Sequence, residues 1–184
     1  MFLHISTDYV FGANKEEGYL EEDEPGENQL NYYGKTKRGG EKLAVEYNPN
    51  SYVIRTSWTF GPNGKNFINT MLNLSTTKDE LTIVDDELRV PTYTKDLSMQ
   101  LIYIIKNKLK PGYYHGVNEG SCSRYQEAKK IFELAKKDIK LHKTTLEEYG
   151  RAVKTANYSV LLNTKLPKLQ NWDKAIEEYI NSLI

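Results

Sequence analysis

Cysteine is nearly absent. Cys122 is the only one in 184 residues, so no internal disulfide can form, and a reducing, cytoplasmic setting is the expectation. Neither sign of charge is in excess: 25 Lys and Arg face 25 Asp and Glu, which leaves no electrostatic footprint for nucleic acid or an anionic membrane. Histidine is scarce too, and His4, His115 and His142 lie too far apart for metal-ligand spacing, so no metal site is expected. No apolar run approaches the roughly 20 residues of a membrane span, and MFLHIST lacks the basic start and long apolar stretch of a signal peptide. The 12 glycines contain no GxGxxG or GxxGxxG spacing, so a glycine turn for a pyrophosphate is missing. A phosphate loop is also excluded. Gly34-Lys35-Thr36 would need a glycine five positions earlier, where Gln29 stands.

What is present is enough chain for one domain with a real core, or one domain with a small lobe. Leu3 and Ile5 read as a buried strand that ends in Ser6-Thr7-Asp8. A polar, acidic loop follows from about Ala13 to Leu30, then a helix over roughly Tyr33 to Tyr47 and a second strand from Ser51 to Trp58. Phe67, Met71 and Leu72 mark a helix, and Leu81 to Asp86 the next strand. Thr94 suits the cap of a helix with an apolar stripe of Leu97, Leu101, Ile104 and Ile105, which Pro111-Gly112 stops before Gly112 to Val117. Ser123 and Gln126 have capping-box spacing before Tyr125, Ala128, Ile131, Phe132 and Ala135. The segment Asn157 to Leu162 precedes a last helix carrying Ala175, Ile176, Tyr179, Ile180 and Leu183. Strands alternating with helices predict an α/β fold with a parallel sheet. The 14 tyrosines read mainly as amphipathic packing residues, with the lining of a polar cleft as the alternative.

Two stretches carry candidate chemistry. Ser6-Thr7-Asp8 sits where ligands bind in open α/β sheets, although a turn or helix cap is the more ordinary use of those side chains taken alone. Tyr33 and Lys37 are four apart and share a helix face. An ammonium beside a phenol favours the phenolate, which suits proton transfer to a carbonyl oxygen. Solvated neighbours on a helix have the same spacing. Tyr32 has Thr36 in the matching place, so only Tyr33 has the ammonium partner.

Together, Thr7, Tyr33 and Lys37 resemble the Ser/Thr, Tyr and Lys set of extended short-chain dehydrogenase/reductases. STDYVFG, GYLEEDEP, LNYYGKTKRGGE, RTSWTFGPNGKNF, VPTYTKDL and GYYHGVNEG resemble, in order and over nearly the whole chain, the dTDP-4-dehydrorhamnose reductase family. The resemblance implies the C-terminal part of a Rossmann-like NAD(P)-binding fold, with catalytic strands and helix over about 1–60. A mixed lobe for substrate, with the remaining Rossmann elements, would occupy about 61–184 of one compact unit. It implies NADPH or NADH as coenzyme and a nucleotide-linked 4-keto-6-deoxy sugar as substrate. Thr7 would bond the C4 carbonyl, Tyr33 would protonate its oxygen, and Lys37 would hold the nicotinamide ribose and tune Tyr33. Asp8 and Trp58 would contact the sugar, Trp58 having a strand-end core aromatic as its alternative reading. Arg55, Thr56 and Ser57 would shape the cleft without being catalytic, and Asn66 and Phe67 match the family too.

Four departures stand out. Gln29 replaces a usual proline, a small change to loop entry; Glu87 and Arg89 replace a glutamine and a glycine, so different substrate-side contacts are expected; and Thr155-Ala156 replace Arg-Pro, where the lost arginine is expected to weaken phosphate or inter-subunit contacts. The family's glycine-rich first units have no counterpart here. The expectation is an incomplete reductase that self-associates or meets a companion chain. The alternatives are a non-catalytic regulatory or binding subunit and one half of a split reductase.

Overall fold

The computed structural model describes residues 1–183. Its central sheet is parallel, in the order β1 (Phe2–Thr7), β2 (Ser51–Thr56), β7 (Gly112–His115), with Thr7 level with Thr56 and Arg55 with His115. Every residue of β2 is buried, as a strand paired on both sides requires. β1 is paired on one side only among the described residues, and Phe2 and Ile5 are exposed. Between them runs α1 (Tyr32–Tyr47), capped by Asn31, whose side chain accepts the Gly34 N–H at 2.8 Å.

The face that α1 buries is ionic. Arg38 and Glu41 are buried there, and Glu41 accepts from Ser6 Oγ at 2.6 Å, Arg55 Nε at 2.9 Å, Arg55 Nη2 at 3.0 Å and Arg38 Nη1 at 3.1 Å. Arg55 therefore ties β2 to α1 beneath the sheet and does not line the cleft it was expected to shape. Its guanidinium also lies over the rings of Phe11 and Tyr113, at 4.9 and 4.6 Å. Burial alone would raise the Glu41 pKa, but the Arg55 bonds and charge, with Ser6 and Arg38, hold it below the usual carboxylate range.

The rest of the chain adds β3 (Thr59–Phe60), α2 (Phe67–Leu74), β4 (Glu80–Val84), β5 (Leu88–Arg89) and β6 (Thr92–Tyr93). It continues with α3 (Thr94–Lys106), β8 (Cys122–Ser123), α4 (Arg124–Leu134), β9 (Lys140–Thr144), α5 (Leu146–Tyr149) and α6 (Trp172–Asn181). β4 pairs with β9 and β3 with β6, both parallel, while β5 and β8 are antiparallel. A core of Phe60, Ile68, Met71, Tyr93, Ile131, Phe132, Ile176 and Tyr179 binds α2, α4 and α6 together, with the Phe60 and Tyr93 rings stacked at 5.3 Å. Two smaller cores lie around Phe11, Tyr19 and Val160, and around Ile54, Leu97 and Ile104.

Several sequence expectations are corrected. β2 stops at Thr56, because Trp58 has a left-handed φ of 39° that breaks the strand. Thr94 is the first residue of α3, and its cap position, Tyr93, makes no side-chain cap bond. Ile105 and Leu183 are exposed; the buried stripe of α3 is Asp96, Leu97, Gln100 and Ile104. The capping box is present as expected, with both Ser123 and Gln126 bonds formed.

Candidate active site

The C-terminal ends of β1 and β2 open into a cleft of about 620 Å³ lined by Thr7, Asp8, Tyr33, Lys37 and Trp58, together with Ser6, Tyr9, Thr56 and Ser57. All five residues proposed from the sequence thus face one space. Thr7 ends β1 and also caps the 3-10 turn Asp8–Val10, as the cap reading of Ser6-Thr7-Asp8 expects. Its Oγ accepts the Tyr9 N–H at 3.2 Å and donates to Asp8 Oδ1 at 3.1 Å.

Gly34 sets how close α1 can come to this turn. A β-carbon there would lie 2.2 Å from the Tyr9 carbonyl oxygen, so only glycine lets the first turn of α1 press against the end of β1. Tyr33 is thereby delivered to the cleft, 52 % exposed, with its ring edge-to-face with Tyr9 at 5.8 Å. One turn later the Lys37 ammonium donates to the Ile5 carbonyl at 2.5 Å, which anchors it to β1. It is the one cation on the cleft lining among the described residues.

Asp8 is buried, and Arg89 Nε stands 2.6 Å from its Oδ2 in a contact ion pair off the straight hydrogen-bond axis. Burial raises the Asp8 pKa against the opposing Arg89 charge. Trp58 forms a partly exposed wall, outside the apolar cores. Two guanidiniums lie over its ring, Arg124 at 3.5 Å and Arg89 at 5.9 Å. Its carbonyl accepts the Thr92 N–H at 3.2 Å, and Ser57 Oγ donates to Val90 O at 2.7 Å.

Arg124 also borders a second cleft of about 600 Å³, with Phe67, Tyr149 and Arg151. Sequence reasoning missed Arg124 and Arg151. The only signal was the position of Arg124 directly after the capping serine, and Arg151 carried none. Both are partly neutralised, Arg124 by Glu127 at 2.7 Å and Arg151 by Glu87 at 3.1 Å. Thr155, where the resemblance implies an arginine, donates to Glu87 at 2.9 Å. Phe67, expected to pack its helix, does so with the Arg124 guanidinium 4.5 Å from its ring. Among the described residues no His, Cys, Asp and Glu side chains group as a metal site, and no helix is long and apolar enough to cross a membrane.

The family described as RmlD substrate binding domain matches residues 1–184. The chain is 39 % identical over 183 residues to the spore coat polysaccharide biosynthesis protein SpsK of Bacillus subtilis, covering 97 % of this chain and 63 % of that protein. A solved dTDP-4-dehydrorhamnose reductase of Clostridium acetobutylicum superposes with a TM-score of 0.93 at 40 % identity, over 98 % of this chain and 65 % of that one. The Bacillus anthracis reductase of the same name, in complex with NADP, superposes with a TM-score of 0.93 at 34 % identity and the same coverage. This chain spans less than two thirds of the length of these relatives. The expected Rossmann-like α/β fold is the fold of both solved reductases. From its parallel sheet and the cleft at its strand ends to its full-length match, the chain belongs to the RmlD substrate binding domain family.

Proposed function

We propose that this chain is the acid-base and sugar-binding side of an NAD(P)H-dependent reductase that converts dTDP-4-dehydro-L-rhamnose to dTDP-L-rhamnose. The observation that carries the reading is the meeting of Thr7, Tyr33, Lys37 and Trp58 around one cleft. A binding subunit has no need of an acid-base set, which favours the enzyme reading over a regulatory one.

When bound, the reduced nicotinamide supplies the hydride. Thr7 turns its hydroxyl from Asp8 to the C4 carbonyl oxygen, and Tyr33 gives that oxygen its phenolic proton as negative charge develops there. The Lys37 ammonium, fixed by the Ile5 carbonyl, stabilises the phenolate left behind. Trp58 offers the sugar an apolar wall, and the Arg124 and Arg151 cleft next to it suits the diphosphate. Fit to the coenzyme is partial. Tyr33 and Lys37 suit the nicotinamide ribose, while the 12 glycines provide no turn for the pyrophosphate, so that grip comes from residues outside these 184.

The same reading extends to partners and setting. The edge of β1 that is unpaired among the described residues, a strand that carries exposed Phe2 and Ile5, is where a further segment, a companion chain or a second copy would pair. The chemistry belongs in the cytoplasm with its nucleotide-sugar substrate. The test is to join the chain to the part of the Bacillus anthracis reductase that it does not cover, supply NADPH and dTDP-4-dehydro-L-rhamnose, and identify the product by NMR. Formation of dTDP-L-rhamnose supports the proposal. A folded hybrid that binds both ligands without oxidising NADPH would favour the binding-subunit alternative.

A further inference from the structure

Arg89 is wholly buried at the end of β5, yet its neighbours are those of a functional site. Its Nε meets Asp8 at 2.6 Å, and Asp8 receives the Thr7 hydroxyl at 3.1 Å. Its guanidinium lies 5.4 Å from the centre of the Tyr9 ring, and Tyr9 packs edge-to-face on Tyr33. The same group lies 5.9 Å from the centre of the Trp58 ring. Both terminal nitrogens have partners as well: Nη2 donates to Ala156 O at 3.0 Å and Nη1 to Leu88 O at 3.2 Å, with Glu87 Oε1 3.6 Å from Nη2. One rigid fork therefore touches the supports of Thr7, of Tyr33 and of Trp58.

We propose that Arg89 is a positioning residue, which sets the Thr7 hydroxyl through Asp8 and holds Trp58 in its left-handed conformation through ring and segment contacts. This rests on the reading of the cleft as the reducing site. Two physical arguments carry it. A buried ion pair contributes little net stability compared with apolar groups of the same size, so packing alone does not account for one beneath the cleft. Trp58 holds a φ of 39°, a conformation that a bulky residue keeps only when its surroundings impose it. The segment that imposes it is the one Arg89 anchors, since the Trp58 carbonyl bonds Thr92 and Ser57 bonds Val90. Lysine would keep the charge but lose the planar fork that serves Asp8, Ala156 and Leu88 together.

The test uses the full 184-residue chain carrying Trp172→Phe, which leaves Trp58 as the single indole. Arg89→Lys and the double variant Asp8→Leu/Arg89→Met are compared with it; the double variant leaves no orphaned charge. Far-UV circular dichroism reports folding, acrylamide quenching reports Trp58 without any ligand, and calorimetry reports binding of dTDP-L-rhamnose. The expected result is folded variants with more readily quenched Trp58 and affinity weakened about tenfold. Folded variants with unchanged quenching and unchanged affinity would overturn the proposal. If Arg89→Lys alone does not fold, the double variant decides by quenching of Trp58, since Asp8→Leu also removes a carboxylate of the cleft lining. Failure of both to fold would also overturn it, since Arg89 would then be a requirement of folding. If the parent chain does not bind dTDP-L-rhamnose, the functional reading of the cleft falls, while quenching still decides the role of Arg89.

Discussion

Glu41→Gln is the substitution whose effect can be worked most fully from the structure. Glu41 is entirely buried and Arg55 is 1 % exposed, so solvent does little to screen their interaction. The glutamine keeps the shape of the side chain and removes its charge. Arg38 retains Glu24 at 3.2 Å as a partner, but Arg55 is left as a buried cation without a counter-charge, with only the glutamine amide oxygen and the Asp23 carbonyl at 3.5 Å as acceptors. Orphaning a buried ion-pair partner costs about 3 to 5 kcal/mol; the retained amide and the Phe11 and Tyr113 rings place this case near about 3. For a chain of this size that lowers the thermal midpoint by about 6 to 12 °C, measured by circular dichroism. The acid limb should change as well. The folded pKa of Glu41 lies below its unfolded value of about 4.3, so its contribution is complete above that value and lost as pH falls through the folded pKa. The Gln variant should lack this loss. Glu41→Leu/Arg55→Met should recover most of the midpoint, because it leaves no charge unpaired. A Glu41→Gln midpoint within about 2 °C of the parent would refute the view that this pair fastens α1 to the sheet.

Three further outcomes are expected. Gly34→Ala should destabilise the chain by about 1 to 3 kcal/mol in urea unfolding, since its β-carbon would meet the Tyr9 carbonyl; unchanged stability would show that α1 docks differently. Trp58→Ala should weaken dTDP-L-rhamnose binding by about 1 to 3 kcal/mol in calorimetry, and a fall in thermal stability with unchanged affinity would make Trp58 a packing residue. Titrated alone with NADPH, the chain should bind poorly for want of a pyrophosphate turn, and micromolar binding by a monomer in light scattering would contradict the proposed division of the coenzyme site.

Local chemistry was legible in the sequence wherever it is written in adjacent residues. The capping box at Ser123, the stop of β1 at Thr7 and the shared helix face of Tyr33 and Lys37 each depend on spacings of a few positions. What escaped depends on contacts between distant segments. The face that α1 buries is polar, so hydrophobic periodicity gave no hint that Glu41 and Arg55 form its core. β9 is largely exposed along KLHKT, and strands of two residues such as β5 have no periodicity to detect. Trp58 reads as the end of a strand because nothing in RTSW announces a left-handed residue. Arg89 appeared as a substitution on the substrate side, and only its distance from Asp8 makes it part of the foundation of the cleft.

The central claim is that Tyr33 gives the proton when the sugar carbonyl is reduced. Its most direct test is steady-state NADPH oxidation by the reductase completed with the Bacillus anthracis segment, comparing Tyr33→Phe with the parent at saturating dTDP-4-dehydro-L-rhamnose. With Tyr33 as the proton donor, kcat falls by about 10² to 10⁴ while the affinity for dTDP-L-rhamnose stays close to that of the parent. A Tyr33→Phe enzyme that turns over at nearly the parent rate would contradict it.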